Sequence, residues 1–214
     1  MPVFEIPQEL IFPDPCMADS DGLLGIGGDM SVERIMLAYQ NGIFPWFSEG
    51  EPIMWWSPDP RCVLFPDKLK VSKSLKQIIK KNTFEVRLNT CFEEVVKQCS
   101  IAKDRKLEGT WIVPQTMAAF GELHRLGHAY SVEVFYDNKL AGGLYGLVVG
   151  KVFCGESMFH EVSNASKVAL YHLVQLLKKN RFKLIDCQIP NDFLLSMGAE
   201  QISRVQFLEM LGSS

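Results

Sequence analysis

The pattern of hydrophobic and polar residues changes near residue 62. Before that point one amphipathic helix is recognisable, with Ser31 as its N-cap, a stripe of apolar residues along one face, and Asn41-Gly42 at its end. The segments on either side of this helix are dense in proline and aromatic residues and predict irregular loops. We therefore predict a small N-terminal domain over residues 1–62 and a larger domain over residues 63–214.

Regular patterns follow residue 62. The spacing of apolar residues predicts helices over 71–81, 90–102, 114–126, 163–179 and 191–197, and strands over 131–136, 140–149, 152–158, 182–188 and 199–204. Thr90 and Glu93 have the spacing of a capping box at the start of the second of these helices. From residue 131 onward the order is β-β-β-α-β-α-β. This is the order of the acetyltransferase-like (GNAT) α/β fold, and other α+β folds share parts of it.

The composition is that of a folded protein that needs neither disulfides nor metals. Of the 214 residues, 47% are hydrophobic and 22% are charged, and the net charge of −3 excludes a wholly basic nucleic-acid binder. The six cysteines include no C-x-x-C pair and no short Cys/His cluster, so we expect no metal site and no disulfide framework. No apolar run approaches the ~20 residues of a membrane span. The first residues lack the basic region of a signal peptide, so we expect a cytoplasmic protein.

Two acidic residues interrupt apolar strand patterns. Asp186 and Gln188 lie on the same face of the strand 184–188 if side chains alternate regularly. A carboxylate and an amide are costly to bury without partners. They are therefore either a structural pair that supports the next loop or a site at the end of the strand, with Asp186 orienting Gln188. Glu156 is either a solvent-facing residue or an inward one that recruits an ammonium or guanidinium group.

Two further segments bear on possible ligands. Residues 68–81 contain six lysines and no acid, and Lys73, Lys76, Lys80 and, more loosely, Lys81 fall on one side of the predicted helix. That side is either a solvated face or a binding site for a polyanion such as RNA. The segment 160–170, before the long helix, contains no glycine. A CoA-dependent acyltransferase of this fold needs a glycine-rich turn there to hold the pyrophosphate, so we do not expect CoA.

Several short segments, in the same order, resemble the leucyl/phenylalanyl-tRNA–protein transferases of bacteria. The segments that carry the resemblance are GLLGIGGDMS (22–31), AYQNGIFPWF (38–47), WWSPDPR (55–61), GTWI (109–112), SVE (131–133), GGLYG (142–146), GESMF (155–159), ASKVAL (165–170), LIDCQ (184–188) and SMGAEQISR (196–204). They extend over about residues 11–208. The sequence departs from the family pattern at Phe193, where a His is expected, and at His160-Glu161, where Ser-Arg is usual.

The resemblance implies a fold and a reaction. The fold is a small N-terminal domain followed by a GNAT-like domain. The reaction moves Leu or Phe, and Met less well, from aminoacyl-tRNA to the N-terminal Arg or Lys of an acceptor protein. This marks the acceptor for degradation by the N-degron pathway. The ester on the tRNA is already activated, so the resemblance implies no cofactor and no metal, and we expect a monomer.

The resemblance also implies roles for individual residues. Asp186 orients and polarises Gln188, Gln188 holds the attacking amine near the ester carbonyl, and Asn191 steadies the leaving or the developing charge. Glu156 recognises the cationic acceptor, and Trp111 stacks on its guanidinium. The implied pocket for the transferred side chain consists of Leu144, Phe153, Leu170, Leu173, Leu177 and Ile185, and the lysines implied to hold the acceptor stem of tRNA are Lys73, Lys76, Lys80 and Lys81.

Two alternatives remain at this stage. The first is a CoA-dependent N-acyltransferase of the same fold, which tight binding of acetyl-CoA would reveal. The second is a non-catalytic tRNA-binding or degradation-adaptor protein, in which Asp186 and Gln188 are only structural. Such a protein would bind tRNA without turnover.

Overall fold

The computed structural model describes residues 3–102 and 110–212, which form two β-sheets and the helices that cover them. In chain order the strands are β1 (Phe4–Ile6), β2 (Leu23–Gly27), β3 (Phe44–Pro45), β4 (Met54–Trp56), β5 (Arg61–Leu64), β6 (Glu85–Leu88), β7 (Ala129–Tyr136), β8 (Lys139–Val149), β9 (Val152–His160), β10 (Leu184–Gln188) and β11 (Glu200–Ile202). The α-helices are α1 (Val32–Gln40), α2 (Lys73–Lys80), α3 (Phe92–Ser100), α4 (Pro114–Arg125), α5 (Ala165–Lys179), α6 (Asp192–Ser196) and α7 (Arg204–Gly212). Within these residues no helix is both long enough and apolar enough to cross a membrane.

The proline- and tryptophan-rich region contains a small sheet, so the prediction of irregular loops is wrong there. Its strands lie in the order β1-β2-β4-β3, with β1 parallel to β2 and the other pairs antiparallel. Trp55 of β4 is fully buried, and its Nε1 donates to the carbonyl oxygen of Gly27 at 2.9 Å. Pro45, which has no N–H to donate, lies in the edge strand β3. The strands have two to five residues, which is too short for alternation to be visible in the sequence.

The large sheet contains seven strands in the order β11-β5-β10-β9-β8-β7-β6. Strands β7, β8 and β9 form the predicted antiparallel meander, and α5 leads from β9 to β10, which lies parallel to β9. With α6 and β11, the predicted β-β-β-α-β-α-β order is confirmed, and the chain has the mixed α/β fold that this order indicates. Strands β5 and β6 and helix α7 are additional to the predicted elements. Strand β5 lies between β10 and β11 and is antiparallel to both.

Helices cover both faces of the large sheet. Phe153 and Cys154 are neighbours in β9 but belong to different apolar clusters, so the two clusters lie on opposite faces. One cluster contains residues of α2 and α5, and the other contains residues of α3 and α4 and continues into the small sheet. Strand β5 begins at Arg61, directly beside the predicted border at residue 62. The division into domains at that residue remains a prediction.

Of two predicted helix N-caps, one is observed and one is not. Helix α1 is capped by Ser31, whose Oγ accepts the N–H of Arg34 at 3.4 Å, as predicted. The capping box at Thr90 is wrong: α3 starts later, after Cys91, without a side-chain cap. The Thr90 hydroxyl instead donates to Oε2 of Glu133 at 2.9 Å, and its N–H donates to the same oxygen at 3.2 Å. The buried Glu133 carboxylate needs these donors, which explains why Thr90 does not cap the helix.

Candidate active site

Asp186 lies in the middle of the large sheet and is completely buried. Its partner is Arg61 of the adjacent strand β5, which is also buried. Nε of Arg61 donates to Oδ1 of Asp186 at 2.8 Å, and Nη2 donates to Oδ2 at 2.7 Å. Two parallel bonds of this kind are the strongest common arrangement of a guanidinium and a carboxylate. Arg61 is not among the predicted site residues, although a buried aspartate requires such a partner.

Gln188 does not continue the regular alternation of β10. The register of β10 against β5 shifts between Asp186 and Gln188, which marks a bulge, and Gln188 has φ +54°. The expectation that the two side chains share one face by regular alternation is therefore wrong. Asp186 still contacts Gln188, but through the main chain: its Oδ1 accepts the backbone N–H of Gln188 at 3.1 Å. The carboxamide points elsewhere, and its Nε2 donates to Oε1 of Glu156 at 3.4 Å.

Glu156 of β9 is the centre of a small polar cluster. Its Oε1 accepts the hydroxyl of Tyr39 at 2.7 Å as well as the Gln188 amide. Burial raises the pKa of Glu156 to about 8, and the negative charge of Asp186 acts in the same direction, whereas the Tyr39 hydrogen bond and the positive charge of Arg61 oppose them. The carboxyl group therefore holds its proton at neutral pH unless a cation lies beside it. Tyr39 is itself buried and comes from α1, so the N-terminal region supplies part of the site.

An apolar cavity of about 940 Å³ lies on one side of Glu156 and Gln188. Among the residues that line it are five of the six predicted pocket residues, namely Leu144, Phe153, Leu170, Leu173 and Ile185. Leu177 does not line it; this residue of α5 is buried about one turn beyond Leu173, inside the apolar cluster. Met158 and Phe193, which are not among the six predicted pocket residues, also line the apolar cavity.

An aromatic cavity of about 830 Å³ lies on the other side. Its aromatic lining comes mainly from the N-terminal region and consists of Phe44, Trp46, Phe47, Trp56 and Trp111. Glu156, Gln188 and Asn191 line both cavities, so the two cavities adjoin at these side chains. Trp46 is 43% exposed, and its ring lies 5.8 Å from that of Trp56. The structure thus brings Trp111 and Glu156 to one cavity.

Asn191 has a structural task in this arrangement. It is the N-cap of α6, and its Oδ1 accepts the N–H of Leu194 at 2.8 Å. Its Nδ2 donors remain available to a ligand in the cavities.

The predicted tRNA-binding lysines lie apart from both cavities. Lys73, Lys76 and Lys80 are exposed on α2, and Lys81 is its C-cap. None of the four forms an ion pair with another residue in the described segments, and none lines either cavity. Leu75 on the opposite side of α2 is buried, as the pattern predicted.

All six cysteines are free thiols. Within residues 3–102 and 110–212, no three His, Cys, Asp or Glu side chains are grouped so that they could hold a metal ion. The polar side chains that line both cavities are the carboxyl group of Glu156, the carboxamides of Gln188 and Asn191, and the thiol of Cys187, and the Tyr39 phenol contacts this carboxyl group.

Comparison with known proteins gives matches over nearly the whole chain. The family model for leucyl/phenylalanyl-tRNA protein transferase matches residues 63–212, and the model for the N-terminal domain of the same family matches residues 28–59. A leucyl/phenylalanyl-tRNA–protein transferase from Syntrophobacter fumaroxidans is 52% identical over 214 residues, which cover 100% of this chain and 92% of that protein. One from Flavobacterium psychrophilum is 52% identical over 204 residues, covering 95% and 97%. Among solved structures, a GCN5-related N-acetyltransferase from Kribbella flavida has a TM-score of 0.44 at 10% identity, over 78% of this chain and 59% of that one.

Proposed function

Because the chain belongs to the leucyl/phenylalanyl-tRNA protein transferase family and is an aminoacyltransferase, we propose that it moves leucine or phenylalanine, and methionine less well, to the N-terminal Arg or Lys of acceptor proteins. The donor is the aminoacyl-tRNA. The new N-terminal residue marks the acceptor for the N-degron pathway in the cytoplasm. The enzyme acts as a monomer without a cofactor.

The observation that carries this proposal is the junction of the two cavities at Glu156 and Gln188. Transfer requires two substrates to meet at one point: the ester carbonyl of the donor and the α-amine of the acceptor. The apolar cavity takes the side chain of the donor amino acid, and the aromatic cavity takes the end of the acceptor. Holding both at the junction supplies the proximity that makes the reaction effectively intramolecular.

In the reaction the acceptor nitrogen attacks the ester carbon. A C–N bond forms, the C–O bond to the ribose breaks, and the proton lost by the amine ends on the ribose oxygen. Asp186 does not take this proton, because it is buried and both its oxygens accept hydrogen bonds. A carboxamide is a poor base, so Gln188 positions the amine and the proton passes between the amine and the tRNA itself. Asn191 contributes an Nδ2 donor to the negative charge that develops on the carbonyl oxygen.

Selection of the acceptor follows from the protonation state of the Glu156 carboxyl group. Its carboxyl group is protonated at neutral pH in the free protein because burial raises its pKa to about 8. A guanidinium or ammonium group beside it favours the carboxylate, so binding of Arg or Lys releases a proton and forms an ion pair in a partly dry site. A neutral N-terminal side chain offers no such exchange. Trp111, on the same cavity, stacks on the cationic side chain.

Selection of the donor follows from the shape and lining of the apolar cavity. Unbranched and γ-branched side chains extend into such a cavity, whereas a branch at Cβ meets its walls. The tRNA contributes most of the binding energy through its phosphates, which the α2 lysines contact. The exposed Trp46 beside Trp56 offers a stacking surface for the terminal base.

One assay tests the proposal. Purified protein is mixed with radiolabelled Leu-tRNA and two peptides that differ only in an N-terminal Arg or Ser, without CoA, ATP or metal. The proposal predicts label on the Arg peptide alone. Binding of tRNA without any transfer would instead indicate the non-catalytic alternative, and transfer that required acetyl-CoA would indicate the acyltransferase.

A further inference from the structure

Arg61 contacts several parts of the molecule around Asp186. Besides the two bonds to Asp186, its Nη1 donates to the carbonyl oxygen of Gly42 at 3.1 Å. Its guanidinium lies between two aromatic rings, 4.8 Å from the centre of Phe44 and 4.6 Å from the centre of Phe207. The small sheet, the large sheet and the C-terminal helix α7 therefore meet at this one side chain.

The glycine at position 42 allows this meeting. Gly42 has φ +71°, and an added Cβ would lie 2.6 Å from Cδ2 of Leu208 in α7. Its carbonyl oxygen is the acceptor for Arg61. The close approach of α7 to residue 42 is thus what places Phe207 over the guanidinium.

Gln188 needs support from its surroundings to keep its conformation. A positive φ is unfavourable for a residue with a side chain and persists only where neighbouring groups hold it. Its backbone N–H is held by Oδ1 of Asp186, the same oxygen that accepts Nε of Arg61. Movement of that carboxylate would release Gln188 from the conformation in which its carboxamide reaches Glu156.

We infer that Arg61 is a positioning residue for aminoacyl transfer: by holding the Asp186 carboxylate it fixes the backbone of Gln188 and so keeps the carboxamide at the junction of the two cavities. This inference rests on the proposed function of Gln188. Arg61 lines neither cavity and therefore does not touch the substrates.

An arginine is required for this task because three of its nitrogens face three acceptors. Nε and Nη2 face the two oxygens of Asp186, and Nη1 faces the oxygen of Gly42. A lysine ammonium keeps the charge but cannot span these acceptors as a planar fork. Arg61→Lys thus preserves charge while loosening the position of the carboxylate.

The chain offers a matched control in Arg34. This residue is equally buried, and its Nε lies 3.2 Å from Oδ2 of Asp29 while its Nη2 donates to the carbonyl oxygen of Gln8 at 2.8 Å. It lines neither cavity. Arg34→Lys therefore loses a buried guanidinium fork without disturbing Asp186.

The experiment compares full-length wild type, Arg61→Lys and Arg34→Lys by steady-state kinetics with Leu-tRNA and an Arg-starting peptide, and by the backbone amide signal of Gln188 in proton–nitrogen NMR. Both variants should have a lower Tm. Only Arg61→Lys should lose kcat, by on the order of 100-fold for a displaced reacting group, with little change in the KM for the peptide. Only in that variant should the Gln188 amide signal shift.

Two outcomes overturn the inference: a kcat for Arg61→Lys that falls no further than that of Arg34→Lys, or a Gln188 amide signal that stays in place. If the wild type transfers no leucine, the proposed function fails, while the Gln188 signal still decides whether Arg61 sets that residue's conformation. If Arg61→Lys does not fold, Phe207→Leu withdraws one ring from the guanidinium. A shifted Gln188 signal with a fall in kcat then supports the inference, and the absence of both overturns it.

Discussion

The ionisable residues with proposed roles in the reaction lie in two contrasting regions. Beside the junction of the cavities, Arg61 and Asp186 are buried, Glu156 is half-buried, and each contacts fixed partners. Along α2, Lys73, Lys76 and Lys80 extend into solvent and pair with no other residue of the described segments. The first group is a connected unit, whereas the second is a set of independent charges.

The difference has a physical origin. A buried charge is tolerable only while its partner is in place, so removal of one member leaves the other uncompensated. An exposed charge keeps its hydration whether or not its neighbours are present, and salt screens it. Changes in the buried region should therefore be large and mutually dependent, and changes on α2 should be small, additive and sensitive to salt.

Asp186→Ala should have the largest effect. It leaves the Arg61 guanidinium buried without its carboxylate, which costs about 3–5 kcal/mol of unfolding free energy, and transfer of leucine should be abolished. Urea unfolding and the transfer assay measure the two effects. The control is Asp67→Ala, which removes an exposed acid that lies 3.0 Å from Lys178 and should change stability by less than about 1 kcal/mol. Near-normal transfer by folded Asp186→Ala would contradict the role given to Asp186.

Glu156→Gln should change how stability depends on pH. Unfolded Glu156 releases its proton near pH 4.5, whereas the folded group holds it until about pH 8. The wild type therefore has its full stability from this group below pH 4.5 and loses it progressively as the pH rises to about 8. Glu156→Gln should lack that loss in urea unfolding measured across the same range. Parallel curves of unfolding free energy against pH for the two proteins would show that the pKa of Glu156 is the same in the folded and unfolded protein.

Tyr39→Phe refines the same measurement. The Tyr39 hydroxyl lowers the pKa of Glu156, so its removal should raise that pKa and extend the loss of stability to higher pH. A shift of the pH window in the other direction would mean that the hydroxyl does not donate to the carboxylate.

The combined change Lys76→Ala and Lys80→Ala should act on tRNA binding rather than on stability. If both lysines contact phosphates, the slope of log K against log salt should become shallower by about 0.7–0.9 for each. The unfolding free energy should change by no more than about 0.5 kcal/mol. Lys151→Ala, in the turn between β8 and β9, is the matched control and should leave the slope unchanged. An equal slope for all three proteins would place the tRNA elsewhere.

Lys68→Met should have the smallest effect. Lys68 donates to both oxygens of Glu200, at 2.7 and 2.8 Å, yet its side chain is 55% exposed. We expect a loss of about 0.2–1 kcal/mol of unfolding free energy, which high salt should remove. A loss as large as that of Asp186→Ala would show that exposure does not separate the two classes of charge.

Much of the fold could be predicted from the sequence because long elements carry strong patterns. The meander, α5 and the α2 helix with its exposed lysines are confirmed, as is the family resemblance. Short elements fail for lack of pattern: β3 has two residues, and β6 is exposed along most of its length. Helix α7 did have a signal. Oγ of Ser203 accepts the N–H of Gln206, and Oε1 of Gln206 accepts the N–H of Ser203, each at 3.2 Å, which is a capping box.

The site could be predicted only in part. The residues along β9, β10 and α5 follow from local motifs, and the structure brings most of them to two adjoining cavities. Arg61 and Tyr39 could not be found in this way, because they lie 125 and 117 residues from their partners Asp186 and Glu156. The direction of the Gln188 side chain could not be predicted either, because a bulge redirects a side chain without changing the pattern of apolar and polar residues in the sequence.

The position of β5 between β10 and β11 also determines when the site can assemble during translation. Arg61 leaves the ribosome 125 residues ahead of Asp186, and Phe207 follows later still. Pairing of Arg61 with Asp186 therefore waits until the chain has grown by a further 125 residues, which makes it a slow, non-local step. A nascent chain that stops short of β10 and α7 therefore holds no assembled site, and aminoacyl transfer can begin only after both of these elements have been made.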